Sequence, residues 1–149
     1  MIEAIGIDAD DTLWHNEVIF EETHARYCEL LSRYHDARTV ERTLYATEMR
    51  NLELFGYGIK GYALSSIETA IALTNGEISA EEIRAILESA KGMMRHPVEL
   101  LKGVTETLAA LADSHDLILI TKGDLRDQHR KIAKTDVIRN IICESGFSR

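Results

Sequence analysis

Ile5-Gly6-Ile7-Asp8-Ala9-Asp10-Asp11-Thr12-Leu13 is the stretch on which the reading of this chain turns. An apolar run leads directly into carboxylates spaced two residues apart, with a threonine two further on. Side chains on an extended strand alternate with a period of two, so Asp8 and Asp10 are expected to leave the strand end on one side. There one carboxylate can attack a phosphorus centre, the other can move a proton, and a hard cation can sit beside both. Backbone amides around Ala9 and Asp11 would help hold the oxygens of the attacked group. The competing reading is a solvated turn in which Asp11 or Thr12 caps the next helix. A buried strand feeding D-x-D-x-T is the rarer combination and favours chemistry.

Working outward, residues 2–8 read as a short strand of the kind buried in a parallel sheet. Helical spacing then takes over for about eighty residues. Phe20, Thr23, Tyr27, Leu30 and Tyr34 mark a first helix; Val40, Leu44, Leu52 and Phe55 a second; Ala63, Ile67, Ala70, Ile71 and Thr74 a third. Ser79 with Glu82 forms a capping box ahead of Ile83, Ile86, Leu87, Ala90 and Met94, and Pro97 ends the block. Val104, Leu108 and Leu111 signal another helix. Leu117–Thr121 reads as an apolar strand, residues 124–134 as a helix, and Val137–Cys143 as a third strand. Strands alternating with helices imply a parallel sheet. The expectation is an α/β, Rossmann-like parallel-sheet core, formed by residues 1–14 and 97–149 and truncated, with an all-helical cap inserted at residues 15–96.

Composition narrows the function. A chain of 149 residues with 45% apolar and 28% charged side chains suits a globular domain. Its net charge of -8 argues against nucleic acid as a partner, because no basic field is present to release counterions. Cys28 and Cys143 form no disulfide framework or zinc pattern, and read as free thiols of a reducing, cytoplasmic compartment. No segment has the length of a membrane span or the layout of a signal peptide.

Thr121 closes the second strand and is followed by Lys122 and Gly123. In open parallel sheets ligands bind beyond the carboxyl ends of the strands, where both motifs fall. The Thr121 hydroxyl and the amides of Lys122 and Gly123 suit a phosphoryl oxygen at the start of the next helix. Taken together, IGIDADDTLW, the helical insertion and LLKGVTETLAALADSHDLILITKGDLRDQHRKIAK resemble the haloacid dehalogenase superfamily, and more narrowly its phosphatase-like members with a cap after the first strand. The resemblance implies Asp8 as nucleophile, Asp10 as acid/base, and Mg2+ held by the Asp8 carboxylate and the Asp10 backbone carbonyl. It implies hydrolysis of a small phosphorylated metabolite through an aspartyl-phosphate. The presence of Asp10 favours phosphate transfer over a 2-haloacid dehalogenase reaction.

The chain departs from that pattern in its last residues. The family's lysine lies beyond a third strand, whereas Lys131 and Lys134 fall inside the helix expected before it. Glu144 is a late carboxylate, but no G-D-x-x-x-D-like segment follows. The alternative is therefore a catalytically inactive, truncated fragment, with the first strand left as an exposed edge open to self-association. Gly56-x-Gly58-x-x-Gly61 fits a dinucleotide fingerprint, but a helical pattern precedes it, so it reads as a turn between cap helices. From that turn Lys60, beside Tyr57 and Tyr62, is a candidate substrate contact. Arg126–Lys134 reads as a solvated helix face, Trp14 as hinge packing, and the six histidines show no ligand spacing.

Overall fold

The computed structural model describes residues 2–135 and Ile138. Its elements run β1 (Ala4–Ile7), α1 (Glu17–Leu31), α2 (Ala37–Phe55), α3 (Ile59–Leu73), α4 (Ala80–Arg95), α5 (Val104–Ala112), β2 (Asp116–Leu119) and α6 (Leu125–Ala133). Two compact units result: Met1–Val18 with Pro97–Arg149, and Ile19–His96. No helix among the described residues is long and apolar enough to cross a membrane.

In the first unit β1 and β2 run parallel, with Ala4 opposite Asp116 and Ile7 opposite Leu119. Parallel strands need a crossover, and α5 lies in it. One further bond, from the Ile120 N–H to the Ile7 carbonyl (2.8 Å), carries the pairing past the strand ends. The architecture is thus α/β with a short parallel sheet. The burial expected of β1 is not found: Ile5 and Ile7 are half-buried, while Ala4 and Gly6 are exposed. The two isoleucines pack against the cluster of Leu13, Trp14, Val104, Leu108, Leu117 and Ile138. Among the described residues only that face of the strand is covered, so burial alternates along β1 although all four of its residues are apolar. The third strand expected over Val137–Cys143 lies, Ile138 aside, outside the described residues, as does Glu144.

The second unit is helical, and its termini are chemically marked. Asp36 caps α2 by accepting the Thr39 N–H (3.0 Å). Ser79 and Glu82 form the reciprocal box at α4, satisfying amides that a helix start otherwise leaves open. Leu31, Val40, Leu44 and Ala70 are at most 1% exposed and form the centre of its core. The buried stripe of α2 differs from expectation: it runs Val40, Leu44, Thr47, Asn51, and Phe55 is exposed. Two polar residues continue the stripe because they find partners. Thr47 donates to the Thr43 carbonyl (3.0 Å), and the Asn51 amide donates to Ser65 Oγ (3.2 Å) and Glu68 Oε2 (2.7 Å).

The glycine pattern is a turn between helices. Gly56 (φ 67°) ends α2 and Gly58 (φ 110°) precedes α3, both in the region that disfavours a side chain. Gly61 packs so closely that a Cβ there would stand 2.6 Å from the Gly56 carbonyl oxygen. Nearby, the Tyr27 hydroxyl donates to the Ser66 carbonyl (2.8 Å), and burial pushes the Tyr62 hydroxyl up to about 12.

Candidate active site

β1 ends at Ile7, one residue before the first carboxylate, so strand alternation does not orient Asp8 and Asp10; the turn that follows does. The N–H groups of Thr12 (3.2 Å) and Leu13 (2.8 Å) both donate to the Ala9 carbonyl, and the Asp11 N–H donates to the Trp14 carbonyl (2.8 Å). Asp11 takes a left-handed φ of 58°, which short polar residues tolerate. Its carboxylate accepts the N–H groups of Asn16 (2.9 Å) and Glu17 (3.0 Å) at the start of α1. Asp11 is thus a helix-capping residue, as the competing reading held. Its amide, expected to help hold substrate oxygens, is spent inside the turn.

Trp14, 1% exposed, anchors the far side of this turn. It bridges antiparallel to Leu100, and flanking bonds run from His15 N–H to the Glu99 carbonyl (3.0 Å) and from Leu101 N–H to the Leu13 carbonyl (2.9 Å). The chain leaving β1 is thereby paired with the chain that returns after the helical segment. His15 itself is exposed.

The two candidate carboxylates sit in opposite environments. Asp8 is exposed and makes no hydrogen bond or ion pair among the described residues. Asp10 has a side chain 26% exposed and accepts three donors: Trp14 Nε1 (2.7 Å) and Lys131 Nζ (2.8 Å) on Oδ1, and Gln128 Nε2 (2.8 Å) on Oδ2. The stretch Arg126–Lys134 is therefore not simply a solvated face. Gln128 and Lys131 are 4% and 8% exposed and project together from α6. Sequence reasoning missed both. The available signal was their i, i+3 spacing, which places them on one helix face.

Thr121 lies two residues past the end of β2 and is half-buried. By the strand register, Asp8 and Thr121 follow the paired Ile7 and Leu119 by one and two residues, so both sit at the carboxyl end of the sheet. Lys122 and Gly123 are exposed, and Gly123 has φ 120°, a conformation suited to glycine. Asp124 then caps α6, accepting the Asp127 N–H (2.9 Å). Lys60 is exposed in the first turn of α3, in the helical unit.

Asp8 offers hard carboxylate oxygens suited to a divalent cation such as Mg2+ or Ca2+. The Asp10 carboxylate is already committed to three donors, so Asp10 is left its main-chain oxygen for that purpose. Among the described residues no third carboxylate converges on them. Such an ion would rest on Asp8, the Asp10 main-chain oxygen, water and ligand oxygens, a partial fit of the kind Mg2+ accepts.

No protein-family model matches this sequence, and no curated protein does. Solved structures do. A haloacid dehalogenase-like family hydrolase from Xanthomonas campestris is 43% identical at a TM-score of 0.86, over 93% of this chain and 59% of that one. A 2-haloacid dehalogenase from Pseudomonas syringae is 23% identical at a TM-score of 0.53, over 95% and 66%. A HAD-hydrolase of Bacillus subtilis, solved bound to magnesium, is 13% identical at a TM-score of 0.54, over 93% and 61%. The last two show the fold alone. A parallel pair of strands opening onto Asp8 and Thr121, with helices inserted after the first strand, is the α/β fold that these structures share. The solved structures that this chain resembles are haloacid dehalogenase-like hydrolases, one of them at 43% identity over 93% of this chain. The chain spans less than two thirds of the length of each of the three.

Proposed function

We propose that this chain carries the aspartyl-phosphate machinery of a Mg2+-dependent phosphatase-like hydrolase acting on a small phosphorylated metabolite. The observation that supports it best is the division of labour between the two carboxylates. Asp8 stands exposed and unpartnered among the described residues, as a nucleophile must, while Asp10 is fixed by three donors two residues away.

With Asp10 entering this half protonated, an Asp8 oxygen attacks phosphorus, the ester P–O bond breaks, and the leaving oxygen takes the Asp10 proton, leaving the carboxylate. Water then attacks the aspartyl-phosphate, Asp10 takes a proton from it, and the bond from phosphorus to Asp8 breaks to release phosphate. The Thr121 hydroxyl and the amides of Lys122 and Gly123, at the N-terminal end of α6, hold phosphoryl oxygens in both halves. Mg2+ held by the Asp8 carboxylate and the Asp10 main-chain oxygen would supply charge neutralisation between Asp8 and the phosphate.

The test is hydrolysis of p-nitrophenyl phosphate with and without Mg2+, comparing the chain with Asp8→Asn. A magnesium-requiring rate that Asp8→Asn abolishes is expected; equal rates in the two proteins overturn the reading. Halide release from 2-chloropropionate that stops in Asp8→Asn, with no phosphatase rate, would reassign the same nucleophile to carbon–halogen hydrolysis.

A further inference from the structure

We propose that Gln128 and Lys131 are positioning residues for Asp10, so that one turn of α6 sets the acid/base carboxylate relative to the phosphate-binding loop. This rests on the functional reading above and adds to it the groups that hold its proton-transfer residue in place.

The bonds these side chains make tie together otherwise separate pieces of backbone. Lys131 Nζ reaches Asp10 Oδ1 and Asn16 Oδ1, both at 2.8 Å, and so closes the turn from Asp10 to Asn16 across its two ends. Gln128 Nε2 donates to Asp10 Oδ2 (2.8 Å) and to the Lys122 carbonyl (3.2 Å), linking the loop after β1 to the loop after β2. The two residues are three apart on the helix and therefore share a face. Each takes a different Asp10 oxygen, and the Trp14 indole N–H takes Oδ1 as well, so the carboxylate plane is fixed and cannot rotate without breaking a bond.

Burial gives these bonds their weight. A lysine only 8% exposed would be a poor choice for a helix face meant only for packing, because its ammonium must be compensated there. Here Asp10 and Asn16 use two of its three donors, and Asp127 Oδ2 stands 3.8 Å away. Gln128 orients itself: both its amide-nitrogen contacts are acceptors, so the amide cannot be turned over without losing both. Among the described residues its Oε1 is buried without a partner, so the amide is oriented by what its nitrogen bonds. The role differs from that of a lysine neutralising the nucleophile, because Lys131 addresses Asp10.

Trp14 makes the inference measurable without turnover. It is the sole tryptophan, so the 15N-labelled chain gives one indole N–H resonance, and that N–H donates to the oxygen that Lys131 also holds. Asp10→Asn is expected to move the resonance. Lys131→Met and Gln128→Leu should move it too, whereas Lys131→Arg, which keeps charge and donors, should move it less than Lys131→Met. In the phosphatase assay Lys131→Met and Gln128→Leu should each lower kcat by roughly 10–100-fold with KM unchanged, since a carboxylate misplaced by about 1 Å loses rate and not binding. If Lys131→Met fails to fold, Gln128→Leu and Lys131→Arg decide. An indole resonance unmoved in the folded variants, or one that Asp10→Asn leaves in place, overturns the positioning role. Absence of turnover in every protein, wild type included, would count against the phosphatase reading and leave the resonance to judge the positioning.

Discussion

Polar groups are buried in both units, but they are satisfied in different ways. In the helical unit the partners are mostly local: Thr47 bonds the Thr43 carbonyl, Ser66 that of Tyr62, and Thr74 that of Ala70, each four residues back. In the strand-bearing unit Asp10 is held by residues 118 and 121 positions away. Local bonds serve the helix that makes them. Long-range bonds onto one half-buried carboxylate at a strand end do not complete any helix or strand; they fix a side chain. The contrast is between bonds that complete helices and bonds that converge on one carboxylate.

The largest effect expected from breaking the comparison lies in the helical core. Leu44, 1% exposed, should cost about 2–5 kcal/mol on truncation to Ala, read by urea unfolding. Ile7, half-buried in β1, should cost less under the same change, and an equal loss would show β1 to be better covered than the described residues make it. Lys131→Met comes next, at about 1–3 kcal/mol. The figure stays below that for breaking a fully buried pair because Asp10 keeps a 26% exposed side chain and two other donors.

Two glycines sharpen the same contrast. At Gly61 a new Cβ would meet backbone, the Gly56 oxygen at 2.6 Å, so Gly61→Ala should destabilise by about 1–3 kcal/mol despite the better helix propensity of alanine. At Gly6 the new atom would meet Ile120 Cδ1 at 2.7 Å, the tip of a side chain that is 52% exposed and free to turn away. Gly6→Ala should therefore stay within about 1 kcal/mol. Equal losses at the two positions would mean that Ile120 is held as firmly as backbone.

An effect of similar size is local to the start of α4. Ser79→Ala should cost about 1 kcal/mol by removing the cap of α4. Hydrogen bonds from the Ser79 amide and hydroxyl, with Arg33 nearby, hold the Glu82 carboxyl below its ordinary value of 4.5. A carboxyl lowered on folding stabilises fully above its unfolded value, and the contribution disappears as pH falls through the lowered one. The thermal midpoint should thus drop on acidification below about pH 4.5, and drop less steeply in Glu82→Gln.

Features that depend on near neighbours could be read directly. The Ser79–Glu82 box, the helix-to-helix glycine turn and the parallel strand pair followed from spacings of a few residues. Phe55 misled because a helical period carries no sign of which polar residues will find partners inside; Thr47 and Asn51 did, and they took the buried stripe with them. β1 misled for a related reason. An apolar run shows that a strand can be covered, and the covering comes from elsewhere in the chain.

The amino-acid sequence alone determined the α/β class, the family resemblance and the candidate roles of Asp8, Asp10 and Thr121, because these rest on short patterns whose chemistry is local. Only the tertiary structure decided that Asp8 stands open while Asp10 is gripped, and that Gln128 and Lys131 do the gripping. A buried ammonium and a solvated one are the same letter in a sequence. The difference arises when the chain brings a carboxylate more than a hundred residues away to within hydrogen-bond distance.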